Sequence, residues 1–261
     1  FLGGILPGLF MSAAMMGFNS YYTHKHNVPL EEPVPLREIP RVTMNALPAL
    51  LMPVILLGGI YSGVTTPTEA AAVAAFYAFA VAAFFYRALS LRDIARVMRE
   101  SSRASASVGL VIGAALIFNY IVAAENIPAK MTMAMQGLDV SPMTFMIGLN
   151  ILFLILGCLL DASTIILVII PIFIPTLKAL GIDLVWFGVI AVVNCMIGLI
   201  TPPYGILLFV INATTGIPLR VIIRDIWPWV AVLVACLAAM IAFPEIVLVV
   251  PRMFGYVPGT I

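Results

Sequence analysis

The chain is a succession of long apolar runs parted by short polar stretches, and that alternation restricts its fold more than any other feature. Crossing a bilayer core takes about 20 apolar residues of helix. Runs near that length cover residues 1–22, 44–60, 67–86, 104–123, 184–211 and 226–250, and two shorter arms lie between 142 and 180. Charged residues make up only 10% of the 261, and mean hydropathy is +1.15. A soluble domain carries about 25% charge. A chain this poor in charge cannot cover itself with polar surface, so lipid is its solvent. The expected fold is an all-α integral membrane protein. A net charge of +1 offers no basic face to nucleic acid. Cys158, Cys195 and Cys236 all sit in apolar runs and read as small hydrophobes. His24 and His26 flank Lys25, which reads as a solvated basic stretch. The first run opens on Phe1 without an initiator Met or a basic leader. It makes a poor signal peptide, and the chain is expected to be a piece of a longer polypeptide.

Arginine sets the expected orientation. The stretch from 87 to 103 carries Arg87, Arg92, Arg96, Arg99 and Arg103 against only Asp93 and Glu100, so it reads as a cytoplasmic loop. The polar segment 23–43 lies two spans earlier and falls on the same side. The loop around Lys130 falls outside. Arg220 and Arg224 mark a further cytoplasmic loop, so an odd number of crossings separates Ser141 from them. The residues from 142 to 180 therefore read as a re-entrant hairpin, with the interrupted run after it making the single crossing. The rival count has three full crossings, and it leaves Asp161 at the tip of a tight cytoplasmic turn.

Three places could carry chemistry. Gly198-Leu-Ile-Thr-Pro-Pro-Tyr-Gly205 interrupts an apolar run. Pro202 and Pro203 remove two backbone donors and bar the preceding turn from closing, so an unwound stretch is expected. Non-helical backbone at membrane depth is tolerated only where it is buried in protein or lines a cavity. Its carbonyls and the Thr201 hydroxyl could hold a cation, and the half-helix opening near Gly205 would point a positive dipole end there. The bland alternative is a proline kink. Asp161, a carboxylate within apolar sequence, is a functional candidate by default. Asp161-Ala-Ser-Thr164 also resembles a hairpin tip whose side chains, Ser163 and Thr164 included, cap the second arm. Asn194 lies about two turns before the break, where it is either a ligand or glue between helices. Glu69 belongs to Thr66-Pro-Thr-Glu69, which reads as a structural cap: Thr66 at the N-cap, Pro67 at N1 and Glu69 closing a capping box. No nucleophile–base pair, phosphate loop or metal-ligand cluster appears in the sequence, so an enzyme is not expected, and no cofactor is implied.

Two long motifs carry a family resemblance. Gly58-Gly-Ile-Tyr-Ser-Gly-Val-Thr-Thr-Pro-Thr-Glu-Ala-Ala-Ala72 resembles a signature of the large membrane subunit of tripartite ATP-independent periplasmic (TRAP) transporters, and Phe1-Leu-Gly-Gly-Ile-Leu-Pro-Gly8 is similar to the end of that family's first repeat. Gly181-Ile-Asp, Phe187-Gly-Val-Ile, Asn194 and the Gly198–Gly205 stretch are similar to its second-repeat ion site. The resemblance implies an elevator-type ion transporter fold of inverted repeats in a bacterial inner membrane. It implies sodium-coupled import of carboxylate substrates, with a periplasmic solute-binding protein and a small four-helix membrane subunit as partners beside membrane lipid. On this reading residues 1–22 end the first repeat, 23–43 form a cytoplasmic linker and 44–123 are helices of the second repeat. Residues 142–213 hold the hairpin and broken transmembrane helix, and 226–250 form the last helix. Asp161, Ser163 and Thr164 at the tip, with Asn194, Gly198, Thr201, Pro202, Pro203 and Gly205 at the break, are the candidate ion and substrate residues. Two alternatives stand beside it: proton coupling carried by Asp161 and Glu69, and a non-transporting scaffold or half-gene product.

Overall fold

The computed structural model describes residues 2–26, 35, 37–137 and 140–257. Among them, seven helices are long and apolar enough to cross a membrane. The chain divides into two compact units, residues 29–107 and residues 1–28 with 108–261.

The unit of residues 29–107 contains α2 (Ile39–Tyr61) and α3 (Pro67–Ala80), the latter extended by a π-helical turn, Val81–Phe85. It also holds the first half of α4 (Leu91–Ala124). The capping box forms as expected. The Thr66 hydroxyl accepts from the Glu69 N–H at 3.3 Å, and the Glu69 carboxylate accepts from the Thr66 N–H and hydroxyl, both at 2.8 Å. The turn between α2 and α3 closes over Gly59, where a Cβ would meet the Thr65 hydroxyl at 2.7 Å. From there α3 runs back along α2, and Tyr77 and Tyr86 donate to the carbonyls of Pro48 and Asn45 at 2.8 and 2.6 Å.

The other unit is built from α1 (Leu2–His26), the second half of α4 and α5 (Ile127–Gly137), followed by a hairpin. The hairpin's first arm is α6 (Pro142–Leu159). Its second arm is a short α7 (Ala162–Thr164), a π-helical turn (Ile165–Ile169) and α8 (Ile170–Ala179). α9 (Leu184–Gly198), α10 (Ile206–Thr215), α11 (Leu219–Ala242) and α12 (Glu245–Met253) complete it. The core gathers round α6 and α9. Phe153 packs between Phe173 of α8 and Phe187 of α9, with ring centroids 6.0 and 6.1 Å apart. Trp186 donates from Nε1 to the Met240 carbonyl of α11 at 3.0 Å. α1 lies against α12, α11 and α9. Asp183 caps α9, accepting from the N–H groups of Val185 and Trp186 at 2.8 and 2.9 Å.

Four elements differ from the sequence reading. Arg220 and Arg224, expected in a loop, lie in the first turns of α11. The arginine-rich stretch is mostly helix rather than loop, since α4 starts at Leu91. Arginine is a good helix former, and Arg92, Arg96, Arg99 and Arg103 recur at the spacing of one helix face. The loop around Lys130 contains α5. The final run is two helices, because Pro244 disfavours helical backbone at Phe243, whose φ and ψ are −122° and 82°. Within the linker, residues 23–26 finish α1 and residues 39–43 open α2, while residues 27–34 and 36 lie outside the described residues.

Candidate functional site

The site grows from one helix crossing. In a lipid solvent, apolar burial gives helices little reason to associate, so close packing of small residues and interhelical hydrogen bonds hold them together. α6 and α9 use both. A Cβ on Gly198 would stand 2.6 Å from the Gly157 carbonyl carbon, so the two backbones touch there. One turn before Gly198, Asn194 donates from Nδ2 to both the backbone carbonyl and the Oδ1 of Asn150, at 2.7 and 2.8 Å. Asn150 in turn donates from its own Nδ2 to the Met146 carbonyl at 2.8 Å. Both groups facing the Asn194 amide nitrogen are acceptors, which fixes the orientation of that amide. The Asn194 Oδ1 is thereby left buried without a hydrogen-bond partner among the described residues. An acceptor in that state costs about 1–3 kcal/mol unless a donor or cation reaches it.

Beyond the glycine contact both helices stop. α6 ends at Leu159, and Asp161 turns the chain, its Oδ2 accepting from the Ser163 N–H at 2.9 Å while its carbonyl accepts from the Thr164 N–H at 3.1 Å. The tip rests against α9 through α7. Asp161 and Ser163 are exposed and Thr164 is half-buried. α9 ends at Gly198, and non-helical backbone follows as far as Gly205. The Pro202–Pro203 peptide is cis. Gly205 has a φ of +42°, and a Cβ there would lie 2.9 Å from Leu208 Cδ1, so only glycine fits. The buried Thr201 donates its hydroxyl to the Ile197 carbonyl at 2.7 Å, which keeps the hydroxyl oxygen available as an acceptor.

The carbonyls that the two prolines free from helical pairing, those of Gly198 and Leu199, find other donors: the N–H groups of Thr201 at 3.0 Å and Leu207 at 3.2 Å. The oxygens left over are those of Ile200, Thr201, Pro202, Pro203 and Tyr204, which accept no hydrogen bond among the described residues. A cavity of about 270 Å³ joins the hairpin to the break, lined by Leu154, Ile155, Cys158 and Leu159 on one side and Thr201, Pro202 and Pro203 on the other.

Tip and break thus lie in one unit. Thr66, Pro67 and Glu69 belong to the other, where they cap α3. Two residues of the crossing, Asn150 and Gly157, escape sequence reasoning. Each gains its role only against α9, so the apolar run that holds them carries no signal of it.

These features define a multi-pass, all-helical membrane protein with a hairpin packed on a broken helix around buried polar groups. A family model described as the tripartite ATP-independent periplasmic transporter, DctM component, matches residues 1–246, and the chain belongs to that family. It is 40% identical over 255 residues to the C4-dicarboxylate TRAP transporter large permease protein of Pseudomonas aeruginosa, a match covering 98% of this chain and 60% of the relative. It is 34% identical over 257 residues to the sialic acid TRAP transporter large permease protein of Vibrio cholerae, again with 98% and 60% covered. With the 2,3-diketo-L-gulonate TRAP transporter large permease protein of Escherichia coli it shares 32% over 248 residues, covering 95% and 58%. The chain therefore spans about 60% of the length of these relatives.

Proposed function

We propose that this chain acts as permease, not enzyme, in a sodium-coupled importer of small organic acids. A periplasmic solute-binding protein delivers the substrate, and a small four-helix membrane subunit packs beside the permease. The observation that carries the proposal is the Gly157–Gly198 backbone contact, beside which the end of the hairpin's first arm and the Thr201–Pro203 break line one cavity, with break oxygens that accept no hydrogen bond among the described residues and a buried, unpartnered Asn194 Oδ1 on the same crossing. A hard monovalent cation binds oxygen, and unwound backbone next to a helix start is how membrane transporters supply it. The relatives named for a C4-dicarboxylate, sialic acid and 2,3-diketo-L-gulonate support a carboxylate as the solute. In the described spans no lysine or arginine stands at the tip or break, so the bound cation and the start of α10 would offset the carboxylate charge.

In this reading the hairpin is re-entrant and moves with α9 as part of an elevator-type transport domain. Thr201→Ala removes one oxygen next to the ion and leaves the break's backbone in place. In proteoliposomes of the assembled transporter, the variant should need a several-fold higher sodium concentration for half-maximal uptake while inserting normally. An unchanged sodium requirement would remove Thr201 from the site.

A further inference from the structure

The hairpin's second arm contains Pro171 and Pro175, and each leaves a carbonyl four residues earlier without its helical N–H. In the α-helical register that α8 resumes, the carbonyl freed by Pro171 belongs to Leu167, within the π-helical turn Ile165–Ile169. Asn119 of α4 donates to it from Nδ2 at 3.1 Å. One polar side chain from another helix thus replaces the backbone donor that the proline lacks. The surroundings give the bond weight, because the seam is loosely packed. A cavity of about 250 Å³ opens there between Asn119, Val122 and Ala123 of α4, Pro128 of α5, and Pro171 and Pro175 of α8. A second polar link across the seam is the hydroxyl pair Thr132–Thr176, at 2.9 Å.

Leu167 stands six residues beyond Asp161, about 9 Å of helix rise, so whatever fixes its carbonyl also fixes the height and rotation of the tip. We infer that Asn119 is a positioning residue for the hairpin tip, acting through the Leu167 carbonyl that Pro171 leaves unpaired. Its role in sodium binding rests on the function proposed above.

The logic predicts a specific rescue. Asn119→Leu keeps the volume and loses the donor. Pro171→Ala restores a backbone N–H that pairs Leu167 within its own helix, so Asn119 becomes dispensable. In proteoliposomes of the assembled transporter, Asn119→Leu should raise the sodium concentration for half-maximal uptake about fivefold, the effect of one lost hydrogen bond. Asn119→Leu with Pro171→Ala should fall within about twofold of Pro171→Ala alone, on the same scale. An unchanged sodium requirement in Asn119→Leu, or a double variant whose defects simply multiply, overturns the inference. Melting temperatures of the four proteins in detergent separate the two claims. A wild-type transporter without sodium dependence overturns the functional reading and the role at the tip with it, and the melting data then report on the Asn119–Leu167 bond alone. Sodium dependence without rescue overturns only the inference.

Discussion

Gly198 meets Gly157 backbone to backbone, and a methyl group at that point has nowhere to go. The nearest atoms to a Cβ on Gly198 are the Gly157 carbonyl carbon at 2.6 Å and its Cα at 2.7 Å, neither of them the end of a flexible chain. Gly198→Ala should therefore push α6 from α9 and cost about 1–3 kcal/mol, read as a lower melting temperature in detergent. Gly157→Ala, with its nearest neighbour at 3.3 Å, should cost less, and the reverse order would contradict the crossing. A second residue-scale effect lies outside the spans. Tyr256 donates its phenol to Asp183 Oδ2 at 2.9 Å, tying the chain after α12 to the cap of α9. Burial, then the Asp183 bond and the Asp183 charge, raise the phenol above its ordinary value. A group whose folded value is raised stabilises fully below its unfolded value, here about 10, and loses that contribution as pH rises through the folded value. The melting difference between wild type and Tyr256→Phe should be flat below about pH 9 and shrink above about pH 10. A difference that persists unchanged to high pH would assign it to packing.

Among the elements, α3 separates two coupling ions. Its capping box occupies the Glu69 carboxylate with the Thr66 N–H and hydroxyl. Glutamine keeps an acceptor oxygen for both donors, so Glu69→Gln should keep the cap and support sodium-driven uptake within about twofold of wild type. Abolished uptake in a correctly inserted Glu69→Gln protein would favour Glu69 as a proton carrier. This cap was legible in sequence because Thr-Pro-Thr-Glu contains all of its own partners within one turn. The break was legible for a similar reason: two adjacent prolines forbid regular helix whatever surrounds them. Run length alone made the helices of residues 2–26, 39–61, 67–85 and 91–124 legible, but not the two hairpin arms, each of which reaches the length of a span. The helical course of Arg92 to Arg103 was not, since charge density suggested a loop while the one-face spacing of the arginines is helical. Nor was the division at Phe243, where a single proline inside an apolar run reads equally as kink or stop. Asn150 and Gly157 were hidden because each has meaning only against a facing helix, and nothing in the apolar run of α6 names that partner.

At the scale of the molecule, the unit of residues 1–28 and 108–261 holds the tip, the break and the core beneath them. The unit of residues 29–107 contributes the α2–α3 pair and its cap. Sodium bound at the first unit's crossing would stabilise the folded form by mass action, about 2.7 kcal/mol at a hundred times its dissociation constant. The most direct measurement is the melting temperature of the purified protein in detergent as sodium replaces choline at constant ionic strength, for wild type and Thr201→Ala. The account predicts a saturable, sodium-specific rise in wild type that moves to higher sodium or disappears in the variant. A wild-type melting temperature indifferent to the cation, or an identical sodium response in both proteins, would contradict it.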